Sequence, residues 1–201
     1  MFKKLLMITV LALLLTPLAY SEESKDDGFR QQEKAKVQAH RQQQENKNKT
    51  FRDSLKNMDP TQREQAMITH RNQQYQENIA FANQIHQEIM AHLRERLNQN
   101  TKLTDAEKQE ILSHREEQYQ KESQHRQQQH QENMDFIEQL ANNADLTPEE
   151  KREQMQQHRE QQKTENKAFR EEQKQGNQTF RKEVRDEVKS KRQAARTGKG
   201  K

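Results

Sequence analysis

The chain has 201 residues, a formal net charge of +4 at pH 7, 28% hydrophobic residues and no cysteine. The lack of cysteine excludes a disulfide framework and a lipid-modified cysteine, and the low apolar content leaves little material for one compact core. Charges of both signs alternate along the chain instead of forming a basic block, which argues against nucleic acid as a partner.

The first predicted element is a secretory signal over residues 1–21. Lys3 and Lys4 form its basic start, residues 5–15 are apolar, and a small-x-small cleavage site ends at Ser21. This apolar stretch is shorter than the roughly 20 residues that span a bilayer. We therefore expect cleavage near Ser21, a periplasmic location, and no stable membrane insertion of the mature chain.

Residues 22–188 are predicted to form an elongated helical domain. Gln, Glu, Lys, Arg and Met favour helix, and the interior has little glycine or proline. Caps and turns divide the domain into about four long antiparallel helices, near residues 28–57, 60–99, 105–142 and 149–194. The predicted fold class is thus all-α, a coiled-coil-like helical hairpin built from repeats. Residues 189–201 are predicted to be a flexible basic tail.

A repeated phrase opens three of these helices. It begins near residues 58, 103 and 146, and its His-Arg pairs recur every 44 residues. Asp59, Thr104 and Thr147 are residue types preferred at the N-cap, and Gln or Glu follows three residues later. This spacing predicts a capping box at the start of each helix.

A finer step of 11 residues runs through the repeats. Starting from His70 it reaches, among others, Phe81, His92, His114, His125, Phe136, His158, Phe169 and Phe180, and Phe29, His40 and Phe51 show the same step in a shifted frame. Eleven residues make three turns of about 3.67 residues, so these side chains share one stripe along a helix. Duplication of a short helical ancestor explains the pattern most simply.

Apolar residues concentrate in the second and third helices. Seam positions in the second helix are Ile68, Tyr75, Ile79, Ala82, Ile89 and Leu93, and residues such as Leu103, Ile111, Met134 and Leu140 could pack against them. We therefore expect these two helices to form the centre of an antiparallel hairpin. The first and fourth helices, with few apolar positions, are expected to pack on a second chain or to remain partly frayed.

The segments Leu103-Thr104-x-x-Glu107 and Leu146-Thr147-x-x-Glu150 resemble the LTxxQ signature of the Spy/CpxP family of periplasmic proteins. Both carry Glu where the family has Gln; the copy at Met58 keeps the Gln but lacks Leu-Thr. The resemblance implies an exported all-α protein, usually an antiparallel dimer, with ATP-independent chaperoning of unfolded proteins as the best-known activity. Relatives include envelope-stress regulators and zinc-binding members. The implied partners are unfolded or misfolded exported proteins and a second copy.

A sparse apolar stripe in polar surroundings suits weak and reversible binding of such clients. Methionine in the stripe would adapt to clients of varied shape. The same residues are also the plausible core of the hairpin, so burial is the competing interpretation. The client-binding candidates are Phe81, Ile85, Ile89, Met90, Leu93, Met134, Phe136 and Ile137.

Methionine and histidine recur one helical turn apart, which suggests binding of a soft metal as an alternative function. Thioether and imidazole ligands favour Cu(I) or Ag(I) over Zn(II), although two ligands from one helix make an incomplete site. No cofactor is expected otherwise. The candidate ligands are Met67, His70, His86, Met90, His130, Met134, Met155 and His158.

Enzymatic motifs are missing from the sequence. It contains no Gly-rich phosphate loop, nucleophile elbow or HExxH segment, so we do not expect an enzyme. A second alternative is a structural coiled-coil spacer, which would bury its apolar stripe on assembling with copies of itself.

Overall fold

The computed structural model describes residues 23–197, which contain four α-helices and no strand. The helices are α1 (Glu23–Ser54), α2 (Pro60–Gln99), α3 (Asp105–Asn142) and α4 (Pro148–Thr197), and a 3-10 turn at Leu55–Asn57 follows α1. The all-α prediction is confirmed. The predicted signal at residues 1–21 lies outside the described residues. In the part of the chain that is described, no helix combines the length and the apolar character needed to cross a bilayer.

The last helix ends at Thr197, three residues beyond its predicted end near residue 194. Residues 189–197, expected to belong to a flexible basic tail, continue α4 as regular helix. The reason is local, because Lys, Arg, Gln and Ala all favour helix, and no glycine follows Gly176 until Gly198. Residues 198–201 of the predicted tail are outside the described part.

The described residues divide into two compact units, one up to Ile89 and one from Met90 onward. In the first unit, α1 packs on α2, with His40 against Phe81 and Phe51 against His70. Moving along α1 from His40 to Phe51, the contacted residue in α2 moves back from Phe81 to His70, so the two helices are antiparallel.

The second unit contains the same kind of pairing between α3 and α4. His114 packs on Phe180 and His125 on Phe169, again in antiparallel order. We expected α1 and α4 to pack on a second chain or to fray, and the structure shows each of them packed as regular helix on its neighbour in the same chain. The expectation of fraying counted only apolar residues, whereas these contacts are made by polar and ring side chains.

Both units bury polar side chains beside a modest number of apolar ones. The first unit buries Val37, Ala82 and Ile85 together with Glu33, Gln44, Asn48, Gln74, Asn78 and His86. The second buries Met90, Leu97, Leu103, Ile111, Leu140, Val184 and Val188 together with Glu107, Arg115, Gln118, Glu122 and Gln173. A buried polar group must find a hydrogen-bond partner to avoid a large desolvation cost, so these helix interfaces depend on specific side-chain pairing.

Candidate functional site: ring clasps between antiparallel helices

The predicted capping boxes stand at the starts of α3 and α4. The Glu107 backbone N–H donates to Thr104 Oγ1 at 3.3 Å, and the Thr104 backbone N–H donates to Glu107 Oε2 at 2.7 Å. Thr147 and Glu150 make the same two bonds, at 3.3 and 2.8 Å. At α2, the Gln62 backbone N–H donates to Asp59 Oδ1 at 3.0 Å.

The two capping glutamates differ in their surroundings. The pKa of Glu107 is lowered, chiefly because the Thr104 backbone N–H bonds its carboxylate, and Lys191 Nζ of α4 reaches Glu107 Oε1 at 3.1 Å. The pKa of Glu150 is also lowered, chiefly by its bond with the Thr147 side chain. Leu103 is buried and Leu146 only partly so. The six residues that resemble the family signature therefore shape helix starts, and the first set also ties α3 to α4.

A repeated three-residue contact joins α1 to α2. The imidazole of His40 stacks on the ring of Phe81, with centroids 4.1 Å apart and planes within 3°. Its Nε2 donates to the side-chain oxygen of Asn78, one turn before that phenylalanine, at 2.7 Å. We call this arrangement a clasp: a histidine on one helix held by the Asn and Phe of an Asn-x-x-Phe segment on the other.

In a second clasp of the first unit, the histidine comes from α2 and the Asn and Phe come from α1. His70 of α2 stacks on Phe51 of α1 at 3.8 Å, and its Nε2 donates to Asn48 Oδ1 at 2.9 Å. Each helix therefore supplies a histidine to its partner and receives one in return.

The same clasp recurs between α3 and α4. His114 stacks on Phe180 at 3.7 Å, His125 on Phe169 at 4.0 Å and His158 on Phe136 at 4.1 Å. The matching bonds run from each Nε2 to Asn177, Asn166 and Asn133, at 3.0, 3.1 and 3.0 Å. The Asn166 amide is itself oriented by donating to the Gln162 carbonyl at 2.9 Å, which leaves its oxygen facing the ring.

The clasps influence the chemistry of their histidines. Burial lowers the pKa of His70 and of His158, so the neutral imidazole is favoured at both positions. Because the amide oxygen is the acceptor, Nε2 carries the hydrogen. Stacking of this kind adds roughly 0.5–1.5 kcal/mol per pair beyond the area buried, and the hydrogen bond adds about 1 kcal/mol.

An amide network lies between the two clasps of the first unit. Gln74 Nε2 donates to Gln44 Oε1 at 3.2 Å and to Asn48 Oδ1 at 2.6 Å. Gln44 Nε2 in turn donates to Glu77, which also pairs with Lys47 Nζ at 2.7 Å. The pKa of Glu77 is lowered, first by that lysine. The network gives the buried glutamines partners and links the clasps into one polar interface.

A charged cluster occupies the interior of the second unit. Glu122 Oε2 lies 3.5 Å from Arg126 Nη1, and the Arg126 guanidinium lies 5.6 Å from the ring centroid of Tyr119. Burial raises the pKa of Glu122 and lowers the pKa of Arg115 despite their mutual attraction. The cluster keeps charge inside the helix pair, where removal of one partner is costly.

The predicted client-binding residues are divided among three environments. Ile85 and Met90 are buried, at 0% and 4% exposure. Phe81 and Phe136 are held in clasps. The four that remain partly exposed are Ile89, Leu93, Met134 and Ile137.

The predicted metal ligands are likewise in mixed environments. His70 and His158 use Nε2 in clasps, and His86 and Met90 are buried. Met67, His130, Met134 and Met155 are partly exposed. Within the described residues, no three His, Cys, Asp or Glu side chains group as a metal site. Binding of copper, silver or zinc by methionine and histidine stays a prediction.

Sequence reasoning missed the asparagines of the clasps. It identified the 11-residue stripe of His and Phe but not its amide partners, Asn48, Asn78, Asn133, Asn166 and Asn177. The signal was available, because each stands three residues before a phenylalanine of the stripe. Comparison of the chain with protein-family models, curated proteins and solved structures gives no match.

Proposed function

We propose that the mature chain is an exported, non-enzymatic helical protein that holds unfolded or misfolded proteins without ATP, as the Spy/CpxP resemblance implies. The observation that supports this proposal is the partial exposure of Ile89, Leu93, Met134 and Ile137 on otherwise polar helices. Periplasmic location and signal cleavage near Ser21 belong to the same proposal.

Partly exposed aliphatic side chains fit weak and general binding. Full burial of one such side chain is worth about 1.5–3 kcal/mol, so side chains that are already partly covered gain less from a client. Met134 adds a flexible contact that adapts to different shapes. Surface charges of both signs offer short-range pairing to charged client segments of either sign. Binding of this strength releases a client without an energy source.

Aggregation of a chemically denatured client, followed by light scattering with rising amounts of the mature chain, tests the proposal. Ile89→Ser with Ile137→Ser removes two partly exposed side chains, and the matched control replaces the exposed neighbours Gln87 and Glu138 with Ser. We expect suppression at near-stoichiometric ratios by the wild type and the control, and weaker suppression by the isoleucine variant at equal helicity. Equal suppression by both variants, or none across unrelated clients, contradicts the proposal.

A structural spacer is the second candidate. The observation that favours it is the engagement of Phe51, Phe81, Phe136, Phe169 and Phe180 in stacks within the chain. Phenylalanines held in this way have one face occupied and cannot offer it to a client. A spacer leaves client aggregation unchanged in the same assay, so the experiment separates the two functions.

A further inference from the structure

Each of the four helices contains a histidine, an asparagine and a phenylalanine at the same spacing. A histidine is followed eight residues later by asparagine and three residues after that by phenylalanine. We call this set the His-Asn-Phe module. Its copies are His40-Asn48-Phe51 in α1, His70-Asn78-Phe81 in α2, His125-Asn133-Phe136 in α3 and His158-Asn166-Phe169 in α4.

Two such modules are complementary when they run antiparallel. The histidine of the first then faces the Asn and Phe of the second, and the histidine of the second faces those of the first. The structure shows this reciprocity: His40 is held by Asn78 and Phe81 while His70 is held by Asn48 and Phe51. The modules of α3 and α4 pair in the same way. A module is thus complementary to its own copies.

We propose that the His-Asn-Phe module is a self-recognition element through which two copies of this chain exchange helices, α1 of one copy pairing with α2 of the other. All contacts between the paired helices would be conserved in the exchanged form. This includes the bonds of Gln44 to Glu77 and of Gln74 to Asn48, which join the same two helices. The proposal does not depend on client binding.

Complementary variants test the exchange. Val37→Asn with His40→Phe gives α1 the Asn-x-x-Phe side of the clasp in place of the histidine. Asn78→Val with Phe81→His gives α2 the histidine in place of the Asn-x-x-Phe side. Val37 and Asn78 are both buried, so the valine and the asparagine each occupy a buried position before and after the substitutions. Each variant alone sets like rings opposite each other within its own hairpin. In a mixture, exchange pairs the new phenylalanine of one chain with the new histidine of the other, and it restores the wild-type clasp in the reciprocal pair.

The mixture is heated through unfolding, cooled and examined by native mass spectrometry with tags of different mass. We expect heterodimer in roughly tenfold excess over each homodimer, a ratio equivalent to about 1.4 kcal/mol. The control is one chain with all four substitutions, which restores the clasp internally. It should unfold like the wild type and show no preference for either variant.

A second measurement keeps the native clasps and therefore guards against variants that do not fold. Because the chain has no cysteine, one copy carries a donor dye on a single cysteine at the exposed position Gln42, and the other copy carries an acceptor dye on a single cysteine at the exposed position Gln76. Energy transfer should rise after annealing and be lost when His40 and His70 are both changed to Gln. Absence of both heterodimer and transfer overturns the proposal. Transfer that survives the histidine changes overturns it too, because the copies then associate through other surfaces.

Discussion

The clasp of His125 with Phe169 offers a quantitative test of how these helices are held together. Its rings are 4.0 Å apart with planes within 9°, and His125 Nε2 donates to Asn166 at 3.1 Å. A fully buried Phe→Ala change costs about 3–5 kcal/mol. Because Phe169 is only partly buried, we expect Phe169→Ala to cost about half as much, near 2 kcal/mol.

The informative quantity is the coupling between the two rings. A double-mutant cycle with His125→Ala and Phe169→Ala should give a coupling free energy of about 1 kcal/mol, the size expected for a stacked ring pair. Urea unfolding followed by circular dichroism supplies the four free energies of unfolding. The matched control is a cycle of His125 with Phe180, whose ring stacks on His114 instead. We expect that control to be additive within about 0.5 kcal/mol.

Equal coupling free energies in the two cycles would show that ring stacking does not couple His125 to Phe169. The rings would then contribute only as separate apolar surfaces, and the regular spacing of His and Phe would have no role in pairing.

Three further predictions concern titration, capping and backbone entropy. Because burial lowers the pKa of His70 and His158 in the folded state, the unfolded chain binds more protons, so stability is complete above about pH 6.5 and is lost as pH falls below it. Urea midpoints at pH 7.5 and 5 should differ more for the wild type than for His70→Gln with His158→Gln. Thr104→Ala should cost about 1 kcal/mol through loss of the N-cap, whereas Thr101→Ala in the preceding turn should be neutral in the same urea titration. Gly176→Ala should raise the free energy of unfolding by roughly 0.5–1 kcal/mol, since a Cβ there meets no atom within 4 Å; a lower melting temperature would contradict this.

Local signals predicted the helices well. The bounds of α2 and α3 match the predicted residues, because Asp59 and Thr104 cap the starts and the segments around Asn100 and Asn143 favour turns. Capping depends on residues three apart in sequence, so it can be inferred without knowing the fold. The same local preference for helix explains why α4 continues beyond Lys189.

Pairing of the helices could not be inferred in this way. The 11-residue step shows that His and Phe share a face of each helix, but periodicity does not say which helix that face meets. Apolar content favoured α2 and α3 as partners, whereas His40 and His114 join α1 to α2 and α3 to α4. Asparagine has a modest helix propensity and usually indicates a cap or turn, so Asn78 and Asn177 were overlooked as interhelical partners.

Ring-to-ring nuclear Overhauser effects in the protein test the central claim most directly, which is that histidine–phenylalanine clasps pair the helices. The structure predicts proton contacts from His40 to Phe81, His70 to Phe51, His114 to Phe180, His125 to Phe169 and His158 to Phe136. Each histidine should also carry its proton on Nε2, seen in the nitrogen spectrum. Contacts shifted by one step of 11 residues, such as His125 to Phe180, or histidine rings with no aromatic contact, would contradict the pairing.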